Sequence, residues 1–480
     1  MRTNHLIRLV GIVLYLFVAG LDSSPFILTG SASGEYTSYS APDTSRFVGA
    51  AAYPDGRFVG FAECRTGAGN VDFGMIGFNQ AGTLTTAVAA GGAGSDRVTC
   101  GSIMLSGDVI SGGITNSFAL PYMSQILIRL SDAGMVQSAR TMVFDGESAI
   151  RGLAPAADGG FVTCGWTMVP PMMILKDATV SRFSESGVLQ WCTIFDDGYF
   201  SLWLTGIAPT SDGGCIVSGT MGSTGMENLV VFKLAGDGSL DWHRHMGAPF
   251  YMDGIFIQET GGSYMIASTI LDVPTAFLFM KMTATGDLEW AYRYNLPDGA
   301  IWLESMAMSA DGTFIGTGSS YLDDPDTDQC LVFRLSSGGA VEWGCRVGEP
   351  GDDEINAGTG IAALPENQIG VSGYRQRSSP LAIDMLVIRL ESDGTIPYCD
   401  TVFPVAFTVT DVTSDLTPFT RDVTVTSSSP AVTDVTSLIM QQNLMLTQTV
   451  FCNGLNVPAA SRVGWVIILM SIGCLIARKK

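Results

Sequence analysis

Between residues 45 and 398 the chain alternates short apolar runs with polar turns, and this alternation itself repeats. Two marks align the copies: a basic residue within an apolar run, and a glycine in a turn five residues later. The basic mark falls at Arg129, Arg182, Lys233, Lys281, Arg334 and Arg389, with Gly77 in its place in the first copy. The turn mark falls at Gly82, Gly134, Gly187, Gly238, Gly286, Gly339 and Gly394. Nine residues beyond the basic mark stand Thr86, Ser138, Trp191, Trp242, Trp290, Trp343 and Tyr398, without an insertion in any copy. A tight hairpin explains that constancy, because one extra residue would turn the side chains of a whole strand to the opposite face.

Each copy also opens on a turn signal: Asp55-Gly56, Gly107-Asp108, Asp158-Gly159, Asp212-Gly213, Gly261-Gly262, Asp311-Gly312 and the weaker Glu366-Asn367. Such pairs between apolar runs mark hairpins, since glycine accepts the positive φ of a tight turn. In the central copy, Asp212–Trp242 and its flanks, the pattern predicts strands at Leu202–Ala208, Cys215–Gly219, Leu229–Leu234 and Leu240–Arg244.

Seven copies of four strands, at a period of about 52 residues, have the dimensions of propeller blades. Runs such as Leu229-Val230-Val231-Phe232 are apolar without alternation, as expected of strands covered on both faces. Closing seven blades into a ring removes most free edges. The expected fold is therefore all-β: a seven-bladed β-propeller of four-stranded blades over 45–398. A Thr-, Val- and Ser-rich stretch follows, with Asp-Val-Thr at Asp411, Asp422 and Asp434. It is expected to form a small β module or stalk over 400–456.

The two ends read differently. Over 1–34, Arg2, His5 and Arg8 precede the apolar run Leu9–Gly20, the layout of a secretory signal, with cleavage after Ala19 or Ala32. Over 457–480, Pro458 and Arg462 precede an apolar run, Val463–Ala477, and a basic end, Arg478–Lys480. An apolar helix is expected there, its flanking cations reaching the two membrane interfaces. This tail resembles the C-terminal sorting tails of exported bacterial proteins, and the resemblance implies export and membrane tethering. The repeats Asp158–Thr167 and Asp212–Thr220, each followed by a basic-apolar strand and G-x-L-x-W, resemble an exported bacterial β-propeller repeat family. That resemblance implies a fold and a place in the cell envelope or at the cell surface, and hardly any function.

Charge narrows the partners. The 480 residues carry a formal net charge of −21 with 25 Lys and Arg in all, so nucleic acid, which needs basic residues to displace counterions from phosphates, is not expected. Export permits disulfides. Cys330 and Cys345 lie symmetrically about a hairpin turn, and Cys399 and Cys452 flank the Thr-rich stretch, so both pairs are candidate bridges.

Catalytic signals are sparse. His243 and His245 fall on one side of a strand without a third ligand nearby, and no nucleophile-elbow, zinc-protease or phosphate-loop motif is present. Asp324, Asp326 and Asp328 have the spacing of the first ligands of a calcium loop, but Gln329 and Leu335 replace the glycine and glutamate that such a loop uses. Calcium is thus the one candidate cofactor. Carboxylates after the Trp position, namely Asp196, Asp197, Asp253, Asp298, Glu304, Asp352, Asp353 and Glu354, would gather on one rim of a ring. Trp191, Trp242, Trp290 and Trp343 are expected to dock neighbouring blades.

Two classes of function remain open. The first is an exported, membrane-tethered, non-enzymatic scaffold whose loop rim meets a protein or glycan. The second is a propeller enzyme, either a quinoprotein-like dehydrogenase, suggested by G-x-L-x-W, or a glycan-processing enzyme with paired carboxylates in the central mouth.

Overall fold

The computed structural model describes residues 35–453, apart from 41–44, 67–69, 119, 169–174, 223–227, 251, 273, 323–327, 349–353, 379–380, 397–398 and 400. All of them lie in the compact unit Ala32–Lys480. They form seven antiparallel sheets in a ring, with three short 3-10 turns as the only helical segments among the described residues. The inner strands of blades one to seven are Ser45–Ala52, Asp96–Ile103, Ser148–Pro155, Ser201–Pro209, Met252–Thr260, Gly299–Met308 and Glu354–Ala363. The central copy folds as Ser201–Pro209, Cys215–Gly222, Asn228–Leu234 and Leu240–Gly247, a residue or more longer at most ends than the apolar pattern indicates.

The repeat marks have a common physical cause. Each turn glycine from Gly82 to Gly394 has φ between 75° and 85°. The basic mark pairs with the acid of the opening turn in its own blade: Arg129 with Asp108 at 2.7 Å, Arg182 with Asp158 at 2.7 Å, Lys233 with Asp212 at 2.8 Å, and Arg334 with Asp311. Where the opening turn lacks an acid, Lys281 turns to Glu289 at 2.7 Å. Trp191, Trp242 and Trp343 donate their indole N–H groups to Gly236, Ala284 and Ser392 of the next blade, at 2.9, 3.0 and 3.0 Å. Their rings also lie where a Cβ on Gly238, Gly286 or Gly394 would be. Trp290 instead stacks on Tyr292 at 5.0 Å, and Tyr294 reaches the Gly339 carbonyl of the next blade.

The core lies between blades. Phe277 stacks on Tyr294 of its own blade at 4.4 Å and on Phe333 of the next at 4.6 Å. Each such fully buried ring contributes about 1.5–3 kcal/mol of apolar transfer. Blade seven meets blade one through Thr359 Oγ1 to the Phe47 carbonyl and Ser372 Oγ to the Gly49 carbonyl, both 2.9 Å. The seam is also closed by the N-terminal strand Glu35–Ser40, which is the fourth strand of blade seven.

The four-stranded expectation is overturned: every blade has five strands, and the fifth comes from the Thr- and Val-rich stretch. Val402–Pro404, Thr408–Asp411, Thr417–Phe419, Thr424–Ser428, Ala431–Asp434, Met440–Asn443 and Thr447–Asn453 add in turn to blades six, five, four, three, two, one and seven. The stretch is therefore a belt that runs once round the ring, against the order of the blades, and not a self-contained module. Its pieces are too short to pair among themselves, whereas each outer strand offers a row of unpaired backbone groups. At about 3.3 Å per residue a segment of this length spans roughly 170 Å, one circuit of a ring of about 27 Å radius.

Val412, Leu416 and Val435 are buried pegs of the belt, and the N–H groups of Val412 and Val435 bond Ala291 and Ala139 of the blades beneath at 3.0 Å. Beside them Thr413 and Thr436 accept from the N–H groups of the same two residues at 2.9 Å. The apolar helix expected over 457–480 and the signal over 1–34 lie outside the described residues. Among the described residues no helix is long and apolar enough to cross a membrane.

Candidate functional site

Every inner strand breaks register once, and always at the same place. The unpaired residue of the bulge is Val48, Thr99, Arg151, Thr205, Ile255, Glu304 and Thr359 in blades one to seven. A bulge re-aims its side chain, and these seven residues line the central channel. Thr99, Thr205 and Thr359 use the position structurally: each donates to the carbonyl just before the bulge of the next blade, at Ile150, Gly254 and Phe47. Among the described residues Arg151 and Glu304 make no such tie, and they place opposite charges three blades apart.

Two residues upstream, nearer the face on which the inner strands begin, the equivalent ring reads Arg46, Arg97, Ala149, Trp203, Asp253, Trp302 and Ala357. The bulge ring and five members of the upstream one, Arg46, Arg97, Ala149, Asp253 and Trp302, enclose a cavity of about 600 Å³ that Trp166, Met123 and Tyr374 also line. It is polarised. Blades one to three present Arg46, Arg97 and Arg151 together with Glu63; blades five and six present Asp253 and Glu304. Glu63 holds Arg46 and Arg97 in place at 3.1 and 2.8 Å. Among the described residues no ion pair holds Arg151. Past the bulges toward the other face the inward residues become apolar, with Ala50, Gly101, Leu153, Ile207, Ile257, Met306 and Ile361.

The carboxyl groups respond to these walls. Glu304 is accessible from the channel yet ringed by protein, so desolvation, helped by the charge of Asp253 and opposed by Arg46 and Arg151, pushes it up to about 7. Burial also raises Asp253, against a 2.6 Å bond from Thr220 and help from Arg151 and Trp203. Lys176 sits over Trp166 at 4.6 Å and Trp203 at 5.5 Å, and burial, with repulsion from Arg151, lowers its pKa. Exposed Tyr122, Tyr199 and Tyr321 stand on loops and strand ends of the same face.

Of the residues singled out in the sequence, Asp253 and Glu304 enter the cavity. Asp298 is taken by Arg346 through two bonds of 2.7 and 2.8 Å, and Asp197 by Arg421 of the belt at 2.6 Å. Asp196 faces Asp177 across its hairpin, and burial together with that neighbour holds Asp177 up at about 7. Asp352, Asp353, Asp324 and Asp326 lie outside the described residues, as does the side chain of Glu354. Asp328 is described, and burial raises its carboxyl. No group of three metal-ligating side chains occurs among the described residues.

His243 and His245 are neighbours, with ring centroids 5.4 Å apart, but they do not converge on an open site. His243 Nε2 bonds the Arg421 carbonyl at 2.7 Å, and His245 is fully buried against Phe419 of the belt. The bridge expected between Cys330 and Cys345 is absent, because both are free thiols. The hairpin bulge at Arg334/Leu335 sets Cys330 opposite Val347 and Cys345 opposite Val332. Cys399 is disulfide-bonded. Cys452 pairs through its backbone with Tyr36 in blade seven, and its side chain lies outside the description. Burial lifts the thiols of Cys64, Cys100, Cys215 and Cys330 to about 12, which removes them as nucleophiles.

Sequence reasoning missed Arg46, Arg97 and Arg151, and with them Trp166, Trp203 and Trp302. The signal that would have found them is the alignment of inner strands, where Arg and Glu interrupt a column of Val, Thr and Ile.

No protein-family model matches the chain, and no curated protein matches it. Among solved structures it is similar to a protein of unknown function from Bacteroides caccae, with 10% identity and a TM-score of 0.38 over 63% of this chain and 94% of that one. It is also similar to puromycin hydrolase, with 15% identity and a TM-score of 0.31 over 59% of this chain and 43% of that one. A third likeness is to PorZ, a surface component of the type-IX secretion system of Porphyromonas gingivalis, with 8% identity and a TM-score of 0.15 over 72% of this chain and 59% of that one.

Proposed function

We propose that this protein is an exported, membrane-tethered binding propeller. Its ligand, a charged group carried on a protein or glycan, enters the arginine-lined end of the central channel. The observation that carries the reading is the placement of Arg151 and Glu304 at two bulge positions where three other blades use threonine to tie themselves together. Each gives up a hydrogen bond worth about 1 kcal/mol and places a charge in an open mouth, which stability alone does not favour. The three exposed tyrosines on that face suit docking of a larger molecule. The signal-like start and the basic-ended apolar tail support export and tethering.

A second reading is favoured by one observation. Glu304, titrating near 7 beside Asp253, is poised to give or take a proton, as a glycan-processing or other hydrolytic enzyme requires. The test is equilibrium binding of the full-length protein in detergent to peptide and glycan panels, comparing wild type with Arg151→Ala and with Arg57→Ala, a change in a turn on the far face. Retention by wild type and Arg57→Ala, with a loss of about tenfold or more for Arg151→Ala, supports the binding reading. Equal retention by all three would overturn it, and chemical conversion of a retained ligand would favour the enzyme.

A further inference from the structure

We infer that the mouth is built for a short zwitterionic peptide, its carboxylate toward Arg151 and its ammonium toward Glu304 and Asp253. This inference rests on the reading of the mouth as a binding site and adds the class of ligand. It follows from how the charges are distributed. Seven equivalent bulge positions carry one cation and one anion, and these stand three blades apart, as far as two blades of a seven-membered ring can be. The ring above adds Arg97 in the blade next to Arg151, Asp253 in the blade next to Glu304, and Arg46 in blade one, two blades from both Arg151 and Glu304.

A purely anionic ligand would leave the two carboxylates facing it, and a purely cationic one would leave three guanidinium groups. A ligand charged oppositely at its ends satisfies both walls. Glu63 takes the Nε–H of both Arg46 and Arg97, whereas no ion pair among the described residues engages Arg151, so its whole guanidinium is open to a carboxylate in a forked pair. A tripeptide separates its charged ends by about 10 Å when extended, and a cavity of about 600 Å³ holds one. Its middle would lie along Trp302, whose flat face accepts either a peptide plane or a side chain.

Glu304 adds a dependence on pH. It faces Asp253 from blade five, Arg46 from blade one, Arg151 from blade three and Tyr374 from blade seven, and it ionises near neutrality. Affinity for a peptide with a free ammonium group should therefore rise from about pH 6, peak near pH 7.5 and fall above it as the peptide amine, of pKa about 7.7–8.0, loses its proton.

The experiment uses full-length protein and three probes: trialanine, its N-acetyl form and its C-terminal amide, titrated by calorimetry at pH 7.5 into wild type, Arg151→Ala and Glu304→Gln. Thermal unfolding of each variant establishes that it is folded. Acetylation and amidation should each weaken binding to wild type about tenfold. Amidation should cost Arg151→Ala little, and acetylation should cost Glu304→Gln little. Trialanine that fails to bind wild type, or binds indifferently to both end modifications, overturns the inference. If panel ligands still depend on Arg151 in that case, the mouth remains a binding site and only the peptide class is wrong. If they too are indifferent to Arg151→Ala, the binding reading fails with it.

Discussion

At the scale of single residues, position 304 offers a direct measure of what stability gives up for the mouth. A threonine there would sit where Thr99, Thr205 and Thr359 sit and would find the Gly358 carbonyl of the next blade. Glu304→Thr is therefore expected to stabilise the fold by about 0.5–1.5 kcal/mol while abolishing ligand binding, read by chemical denaturation and calorimetry. Destabilisation would mean that the glutamate has a structural role. His245 provides a second test. It is fully buried, neither ring nitrogen has a partner, and burial, with His243 and Arg421 nearby, lowers its pKa to about 4. The unfolded chain, with a histidine near 6.5, takes up the proton first. Stability is thus complete above about pH 6.5 and declines as pH falls toward 4, by an amount on the order of 2–3 kcal/mol from this group. His245→Phe keeps the stacking on Phe419 and should flatten that decline in unfolding curves measured from pH 7 to pH 4.

At the scale of elements, blades and belt differ in how plainly they can be read. Blade strands carry long apolar runs because they are covered on both faces, and their turns need glycine at positive φ, so period and register both show in the residues. Belt strands are three to seven residues long and mostly exposed, so they lack an apolar run. What survives is the recurrence of Asp-Val-Thr. At Asp411 and Asp434 the carboxylate accepts the N–H of Thr413 or Thr436 at 2.9 Å, turning the chain so that Val412 or Val435 drops beneath. That regularity was visible, but its cause is an outer edge formed by residues hundreds of positions away, which no local pattern encodes. The channel charges were hidden for a similar reason, since a bulge is a property of two paired strands. Val435→Ala should cost about 1–2 kcal/mol by removing a buried peg, and hydrogen exchange should show lost protection at Ala431–Asp434 and Met440–Asn443. Uniform loss over the whole propeller would mean that the belt does not open locally.

At the scale of the whole molecule, the belt leaves from blade seven and comes back to it. Cys399 stands just after the last turn of that blade, and Cys452 lies in the returning strand Thr447–Asn453. With Cys399 disulfide-bonded, Cys452 is its expected partner. Intact-mass analysis should find one bridge between the peptides that hold them, and Cys452→Ser should lower the thermal midpoint by several degrees; an unchanged midpoint and no linked peptide would exclude the pairing. If the protein hangs from its C-terminal tail, any tension enters at the end of this strand. Without the crosslink, tugging would unzip seven short ladders one after another, beginning at the seam. With it, the load bypasses the entire hoop and passes straight into the hub, so that shear at a cell surface leaves the wrapping intact.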